Sequence, residues 1–151
     1  MFDSNEWLAW AAGIIDGEGC IALIPSRKSI YVRIHVVNTD RRMLTRLLEV
    51  FSVGKIRGPY LRPRCRPKWT WTVCSGQAAE AVLRKIRPWL VTKGEQADIA
   101  LRSRMFLGQA QGAGRRDALT GQYAARAARS ELTALVAECS ALKGGRWHPV
   151  A

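Results

Sequence analysis

The stretch Trp10-Ala11-Ala12-Gly13-Ile14-Ile15-Asp16-Gly17-Glu18-Gly19 decides how the rest of the chain is read. It has the composition of a short apolar helix built on small residues, and it ends in two acids that are separated and followed by glycine. Ala9, Ala12, Gly13 and Asp16 stand at i, i+3, i+4 and i+7, so they share one nearly smooth helix face. Glycine inside a helix costs about 1 kcal/mol relative to alanine. Gly13 therefore predicts close approach of another backbone, a partner helix across a dimer or, alternatively, a sheet of the same subunit. Acids at a helix C-terminus oppose the helix dipole. No Lys or Arg lies between Met1 and Pro25 to offset them, so the pair points to a cation taken from solution.

Outward from this stretch, Asp3 or Ser4 caps the helix, Glu6 lies in its first turn, and the helix is expected to run to about Asp16. Cys20 to Ser26 reads as a strand and Ser29 to Asn38 as its hairpin partner. In the second strand Ile30, Val32, Ile34 and Val36 alternate with Tyr31, Arg33 and His35, giving one core face and one basic, aromatic face. Asp40 starts a second helix with Leu44, Leu47, Leu48 and Phe51 as its stripe. Val53 to Arg57 predicts a third strand, and Trp69, Trp71 and Val73, alternating with Lys68, Thr70 and Thr72, a fourth. Between them, Gly58 to Pro67 reads as a proline-rich loop carrying Arg62, Arg64 and Arg66. Gln77 to Arg87, Lys93 to Leu107 and Tyr123 to Lys143 read as helices, with a Gly/Gln linker after Leu107 and a frayed end to Ala151.

The order predicts an α+β domain in which two hairpins join into one antiparallel four-stranded sheet, with helices on one face and the other face open. The open face would present Ser26, Lys28, Tyr31, Arg33, His35, Lys55, Arg57, Lys68, Thr70 and Thr72. Such a surface suits a DNA groove, where β-ribbons read base edges, while Arg62, Arg64 and Arg66 would grip phosphates.

Composition agrees. The 151 residues hold 24 Lys and Arg against 12 acids, a formal charge of +12 and a pI near 10.5. An excess of that size points to a polyanionic partner. With 48% hydrophobic residues and a mean hydropathy of -0.11, the chain can bury a core. No apolar run approaches the roughly 20 residues of a membrane span, and Asp3 and Glu6 replace the basic flank of a signal peptide. The expectation is a protein that is not secreted and binds no membrane, cytoplasmic or, if encoded in an organelle genome, organellar. Cys20, Cys65, Cys74 and Cys139 have no zinc-type spacing, and His35 and His148 are too isolated for a metal site or a triad.

Ala11-Ala12-Gly13-Ile14-Ile15-Asp16-Gly17-Glu18-Gly19 resembles the nine-residue signature of the LAGLIDADG homing endonucleases, with Ala11 for the leading leucine and Glu18 for the commoner aspartate. The element order resembles their αββαββα fold. The resemblance implies an endonuclease core over 1–107, a linker over 108–122 and a C-terminal helical extension over 123–151. One motif copy implies a homodimer, with Ala9, Ala12, Gly13 and Asp16 at the helix contact.

The resemblance also assigns chemistry. Glu18 stands at the essential metal-binding carboxylate, the Gly17 carbonyl completes part of the coordination, and Asp16 matches the first, more structural acid. Asn38, with Arg41 or Arg42, resembles the residues that organise water and the scissile phosphate, and Lys93 resembles the lysine near the cleaved bond. The implied reaction is Mg²⁺-dependent hydrolysis of double-stranded DNA at a long pseudo-palindromic site, leaving 3′ overhangs, with Mn²⁺ able to substitute and Ca²⁺ supporting binding without cleavage. The alternative is a non-cleaving DNA- or RNA-binding protein on the same scaffold, an intron maturase or transcription regulator. A calcium loop at Asp16 to Gly19 is excluded, because Cys20 to Ser26 supplies none of the spread oxygen ligands an EF-hand needs.

Overall fold

The computed structural model describes residues 4–25, 30–74, 76–112 and 120–143. Helix α1 (Ser4–Glu18) leads directly into β1 (Gly19–Pro25), which pairs with β2 (Ile30–Asn38). Then come α2 (Arg41–Phe51), β3 (Lys55–Tyr60), β4 (Lys68–Val73) and α3 (Gly76–Ile86). A short 3-10 turn (Arg87–Trp89) leads into α4 (Gly94–Gly112), and α5 (Thr120–Ala141) closes the described chain. The strands form one antiparallel sheet in the order β1-β2-β4-β3, so each hairpin contributes one edge and the centre is β2 against β4.

Alternation in the strands builds the core. Ile21 and Leu23 of β1, Val32, Ile34 and Val36 of β2, and Trp71 and Val73 of β4 are buried on one face against Ala11, Ala12 and Ile15 of α1, Leu44, Leu47 and Phe51 of α2, and the apolar stripes of α3 and α4. Trp71 is fully buried. Its indole N–H donates to the Val53 carbonyl at 3.1 Å, and its ring stacks on Phe51 at 5.7 Å. Gly54 sits at φ 99 where a Cβ would lie 2.6 Å from the Trp71 Nε1, so only glycine fits beside that ring. Helix α2 is closed at both ends, by the Asp40 side chain accepting from the Arg42 N–H at 2.9 Å and by left-handed Ser52 donating to the Leu48 carbonyl at 2.8 Å.

Three boundaries differ from the sequence expectation. Helix α1 continues through Gly17 and Glu18, because the turn into β1 is made at Gly19, where a Cβ would lie 2.7 Å from the Ile15 carbonyl oxygen. Strand β3 runs on to Tyr60, its pairing shifting register between Arg57 and Tyr60, which admits Pro59 on an edge strand. Residues 108–112 and 120–122, expected to be linker, are helical, because alanine and glutamine carry the helices past isolated glycines. Helix α5 packs along α4 through Leu132, Leu135 and Cys139, with an Arg102–Glu138 ion pair at 2.8 Å, and reaches the β1 edge, where the Cys139 thiol lies 3.9 Å from the Ile21 carbonyl oxygen. No helix among the described residues is long and apolar enough to cross a membrane.

One contact ties the end of α1 to the rest. The Asp16 carboxylate accepts from the backbone N–H of Val91 at 2.6 Å and of Thr92 at 3.2 Å through one oxygen, and of Lys93 at 2.9 Å through the other. Burial pushes the Asp16 carboxyl up, but the N–H groups of Val91, Lys93 and Thr92 outweigh it and hold it below its ordinary value. Asp16→Ala should lower stability by about 1–2 kcal/mol, discounted because the carboxylate is partly open to water. With the folded-state pKa depressed, the stabilisation is present above the unfolded carboxylate value of about 3.9 and is lost as pH falls through the folded value. Urea unfolding of both proteins across pH 2–7 checks this: the difference should shrink at the acid end, and a constant difference refutes the ionic contribution.

Candidate nucleic-acid interface

The end of α1 separates its two acids. Asp16 is half-buried with both oxygens occupied by the 91–93 turn, whereas Glu18, in the last helical turn, is exposed and has no hydrogen-bond or ion-pair partner among the described residues. Asp16, grouped with Glu18 and Gly17 as a metal ligand in the sequence reading, here accepts from the turn through both oxygens. The cation that offsets the helix end comes first from the chain itself, since the Lys93 ammonium donates to the Asp16 backbone carbonyl. Lys93 is thus a capping group at the base of Glu18, a contact across 77 residues of sequence.

The smooth face is also redistributed. Ala12 is fully buried in its own chain with Ala11 and Ile15, so it has no surface left for a dimer contact. The outward face is Gly13 and Gly17, both exposed, with no atom within 4 Å of where a Cβ would stand, flanked by half-buried Ala9, Trp10, Ile14 and Asp16. Close approach among the described residues does not explain Gly13.

The open sheet face gathers most of the expected contact residues. Register places His35 between Cys20 and Thr72, with Lys55 opposite Thr72; the next row is Val37, Thr70 and Arg57. Tyr31, Arg33, His35, Lys55, Arg57, Thr70 and Thr72 line one groove of about 690 Å³. Tyr60 lines it too, and the sequence alternation missed it because the register shift after Arg57 breaks the period of two. Lys68, opposite Tyr60, is half-buried outside the groove, and Arg62, Arg64 and Arg66 are exposed in the β3–β4 loop. Ser26 and Lys28 lie outside the described residues. At the groove floor the Arg33 Nε and His35 Nδ1 are buried without partners. Burial, then the charges of Arg33 and Lys143, hold the His35 imidazole below its ordinary pKa, so it is neutral at pH 7.

Just beyond β2, the Asn38 side-chain oxygen accepts from the Asp40 N–H at 2.7 Å. Arg42 is paired with the Asp40 carboxylate at 2.7 Å, whereas Arg41 is exposed and makes no ion pair among the described residues. Of the two candidate arginines, Arg41 is the one left free for a phosphate.

Charge is segregated between the two sides of the molecule. No Asp or Glu occurs from Gly19 to Thr39 or from Val50 to Ala79, the segments that hold every strand and both hairpin loops. The ion pairs among the described residues, such as Arg84–Glu80, Arg87–Asp98 and Arg102–Glu138, lie on helices, their caps and the 3-10 turn. Among the described residues the cations of the sheet thus have no internal counter-charges, which concentrates positive potential on one side. No group of three His, Cys, Asp or Glu that could hold a metal exists among the described residues. One chain offers the Glu18 carboxylate and the helix-end carbonyls around Gly17, and a cation there would complete its shell with oxygens from outside the chain. That donor set fits Mg²⁺, which takes one or two carboxylates plus water and substrate phosphates.

No protein-family model matches the sequence, and no curated protein matches it. Solved structures do. The homing endonuclease I-CvuI, in complex with its target in the presence of Ca, is similar over 97% of this chain and 88% of its own, with a TM-score of 0.76 at 20% identity. The archaeal intron-encoded homing endonuclease I-Vdi141I, complexed with DNA, is similar over 95% of this chain and 100% of its own, with a TM-score of 0.61 at 13% identity. The LAGLIDADG meganuclease I-AabMI, bound to uncleaved DNA, is similar over 90% of this chain but 44% of its own, with a TM-score of 0.65 at 15% identity. The helix ending in two acids, the two hairpins in one open sheet and the helices behind it give this chain the fold of the LAGLIDADG homing endonucleases.

Proposed function

We propose that this chain is a single-motif homing endonuclease, a homodimer that hydrolyses both strands of a long pseudo-palindromic DNA site with a divalent metal and leaves 3′ overhangs. The observation that carries the reading is Glu18: a free, exposed carboxylate at the border of an acid-free basic sheet, on a fold whose solved examples were captured on DNA.

The dimer is supported by α1. Its inner face is in the core, yet its outer face is Ala9, Trp10, Gly13, Ile14 and Gly17 rather than charged residues. A helix that is apolar all round belongs in an interior, and a second copy of α1 across a two-fold axis supplies one. The chain also spans nearly a whole I-CvuI chain but under half of I-AabMI, as one half of a two-motif protein would.

In this reading Glu18 and the Gly17 carbonyl hold the ion, and Asp16 and Lys93 fix the helix end that carries them. Mg²⁺ supplies Lewis acidity toward the phosphate and an acidified water when bound, with Mn²⁺ as a substitute and Ca²⁺ supporting binding alone. Arg41 and the Asn38 amide orient the phosphate and water. Tyr31, Arg33, His35, Lys55, Arg57, Thr70 and Thr72 read base edges in the groove, and Arg62, Arg64, Arg66 and Lys68 hold backbone phosphates.

Cleavage selection on a randomised duplex library should yield Mg²⁺-dependent staggered cuts at a near-symmetric site. Glu18→Gln should lower cleavage by at least a hundredfold while affinity in Ca²⁺ changes less than threefold. A wild-type protein that binds one site tightly yet never cuts identifies the non-cleaving alternative. Gly13→Leu should convert dimers to monomers in sedimentation velocity, and an unchanged dimer moves the interface away from α1.

A further inference from the structure

The floor of the sheet groove carries an imidazole that the fold leaves unpaired. His35 stands in β2 opposite Cys20 of β1 on one side and Thr72 of β4 on the other, with Lys55 of β3 in the same row. It lines the groove of about 690 Å³, yet its Nδ1 is buried without a hydrogen-bond partner. So is the Nε of Arg33, two residues back and therefore on the same strand face. The charges that act on the ring are both positive: Arg33 from its own strand and Lys143 from the turn that closes α5. The other titratable side chains around it are Tyr31, Lys55, Arg57, Tyr60 and Cys74 of the groove and Cys20 across the strand pair, and no carboxylate lines the groove. In the free chain a proton on the ring adds a charge beside two like charges in a half-buried site, and its Nδ1 N–H faces no acceptor.

We propose that His35 takes up a proton when duplex DNA covers the groove, so that DNA binding by this chain tightens as pH falls. The proposal rests on the nucleic-acid reading above and adds to it a proton-linked role for one groove residue. A duplex carries about one negative charge per 1.7 Å of its axis. The groove spans strands set about 4.8 Å apart, so several phosphates come to face a ring on which two cations act. Their field opposes that of Arg33 and Lys143 and reverses the balance that keeps the ring neutral. Loss of water beneath the duplex works the other way, but it acts on a ring whose Nδ1 is already out of water in the free chain. The sign of the linkage follows. The bound state holds more protons than the free state, so affinity rises as pH falls through the higher, bound-state midpoint and levels off below the lower, free-state one. Protonation also turns the imidazole into a donor at both nitrogens, which suits the acceptor-rich purine edges and phosphates of a duplex.

The test uses the full chain and a short random-sequence duplex in EDTA, followed by fluorescence anisotropy from about pH 8 down to about pH 5.5 at constant ionic strength, the range in which histidine titrates. Affinity should rise about tenfold per protomer toward the acid end, the equivalent of a one-unit difference between the bound and free midpoints. His35→Gln keeps a hydrogen-bonding side chain but cannot take the charge, and its affinity should change less than about twofold over the same range. His148→Gln, at the other histidine of the chain, should keep the full dependence. A second measurement needs no variant at the site: in NMR the midpoint of the His35 imidazole titration should move to higher pH by about one unit when duplex is added. Duplex binding that stays flat with pH, a dependence that survives in His35→Gln, or an unmoved midpoint each overturns the proposal while leaving the nucleic-acid reading intact. A wild-type chain that binds no duplex at any pH overturns that reading, and this inference with it.

Discussion

The position of the acidic helix end depends on one reciprocal contact. The Asp16 carboxylate gathers the N–H groups of residues 91–93, and the Lys93 ammonium returns to the Asp16 carbonyl. Each half satisfies a group that would otherwise be unfavourable. The turn before α4 has N–H groups without helical partners, and the end of α1 has carbonyls without them. Closing both with one pair of residues locks α1 to the α3–α4 connection, and Glu18, two residues on, takes its place from that lock. The two acids of the motif thus have different work because they have different surroundings, although they are separated by a single glycine.

The second constraint is the distribution of charge. A chain of net charge +12 pays in self-repulsion, and here the repulsion is not spread evenly. The acids sit with arginines on the helices, where exposed pairs such as Arg84–Glu80 contribute little to stability but neutralise that side. The sheet keeps its cations unpaired. A polyanion binding that face removes repulsion as well as gaining contacts, so its binding energy includes strain already present in the free protein. The orphaned Arg33 Nε and His35 Nδ1 at the groove floor belong to the same arrangement.

Much of this was legible in the sequence, and what was not has physical causes. The clean alternation of Ile30 to Val37 gave β2 its two faces, and the apolar spacing of Leu44, Leu47 and Phe51 gave α2, because side-chain period is a local property. The groove residues on β2, β3 and β4 followed from that period until the register shift beyond Arg57 hid Tyr60. The bonds of Asp16 to the 91–93 turn were not legible because its partners lie 75 to 77 residues away, and no local pattern announces them. Ala12 looked like a surface position because small residues mark close packing without saying on which side of the helix it occurs. The Arg42–Asp40 pair was readable in principle from a capping aspartate two residues before an arginine.

Helix α1 has two faces of different character, and the proposed dimer accounts for the outer one. Its Ala11, Ala12 and Ile15 must be small or apolar to lie on the sheet, so that side is fixed by the core. On the other side a monomer would favour charged residues, yet the sequence has Ala9, Trp10, Gly13 and Gly17. Two glycines in a helix cost about 2 kcal/mol relative to alanine, and no described residue touches the space they leave. Another backbone occupying that space would offset the cost. In the proposed dimer a second copy of the same helix would do so with matching shape, and it would bring a second Glu18 near the first. On the proposed reading the apolar outer face and the free carboxylate at its end serve one arrangement: two acids at the centre of a symmetric molecule, each on a rigid helix and each beside a basic sheet.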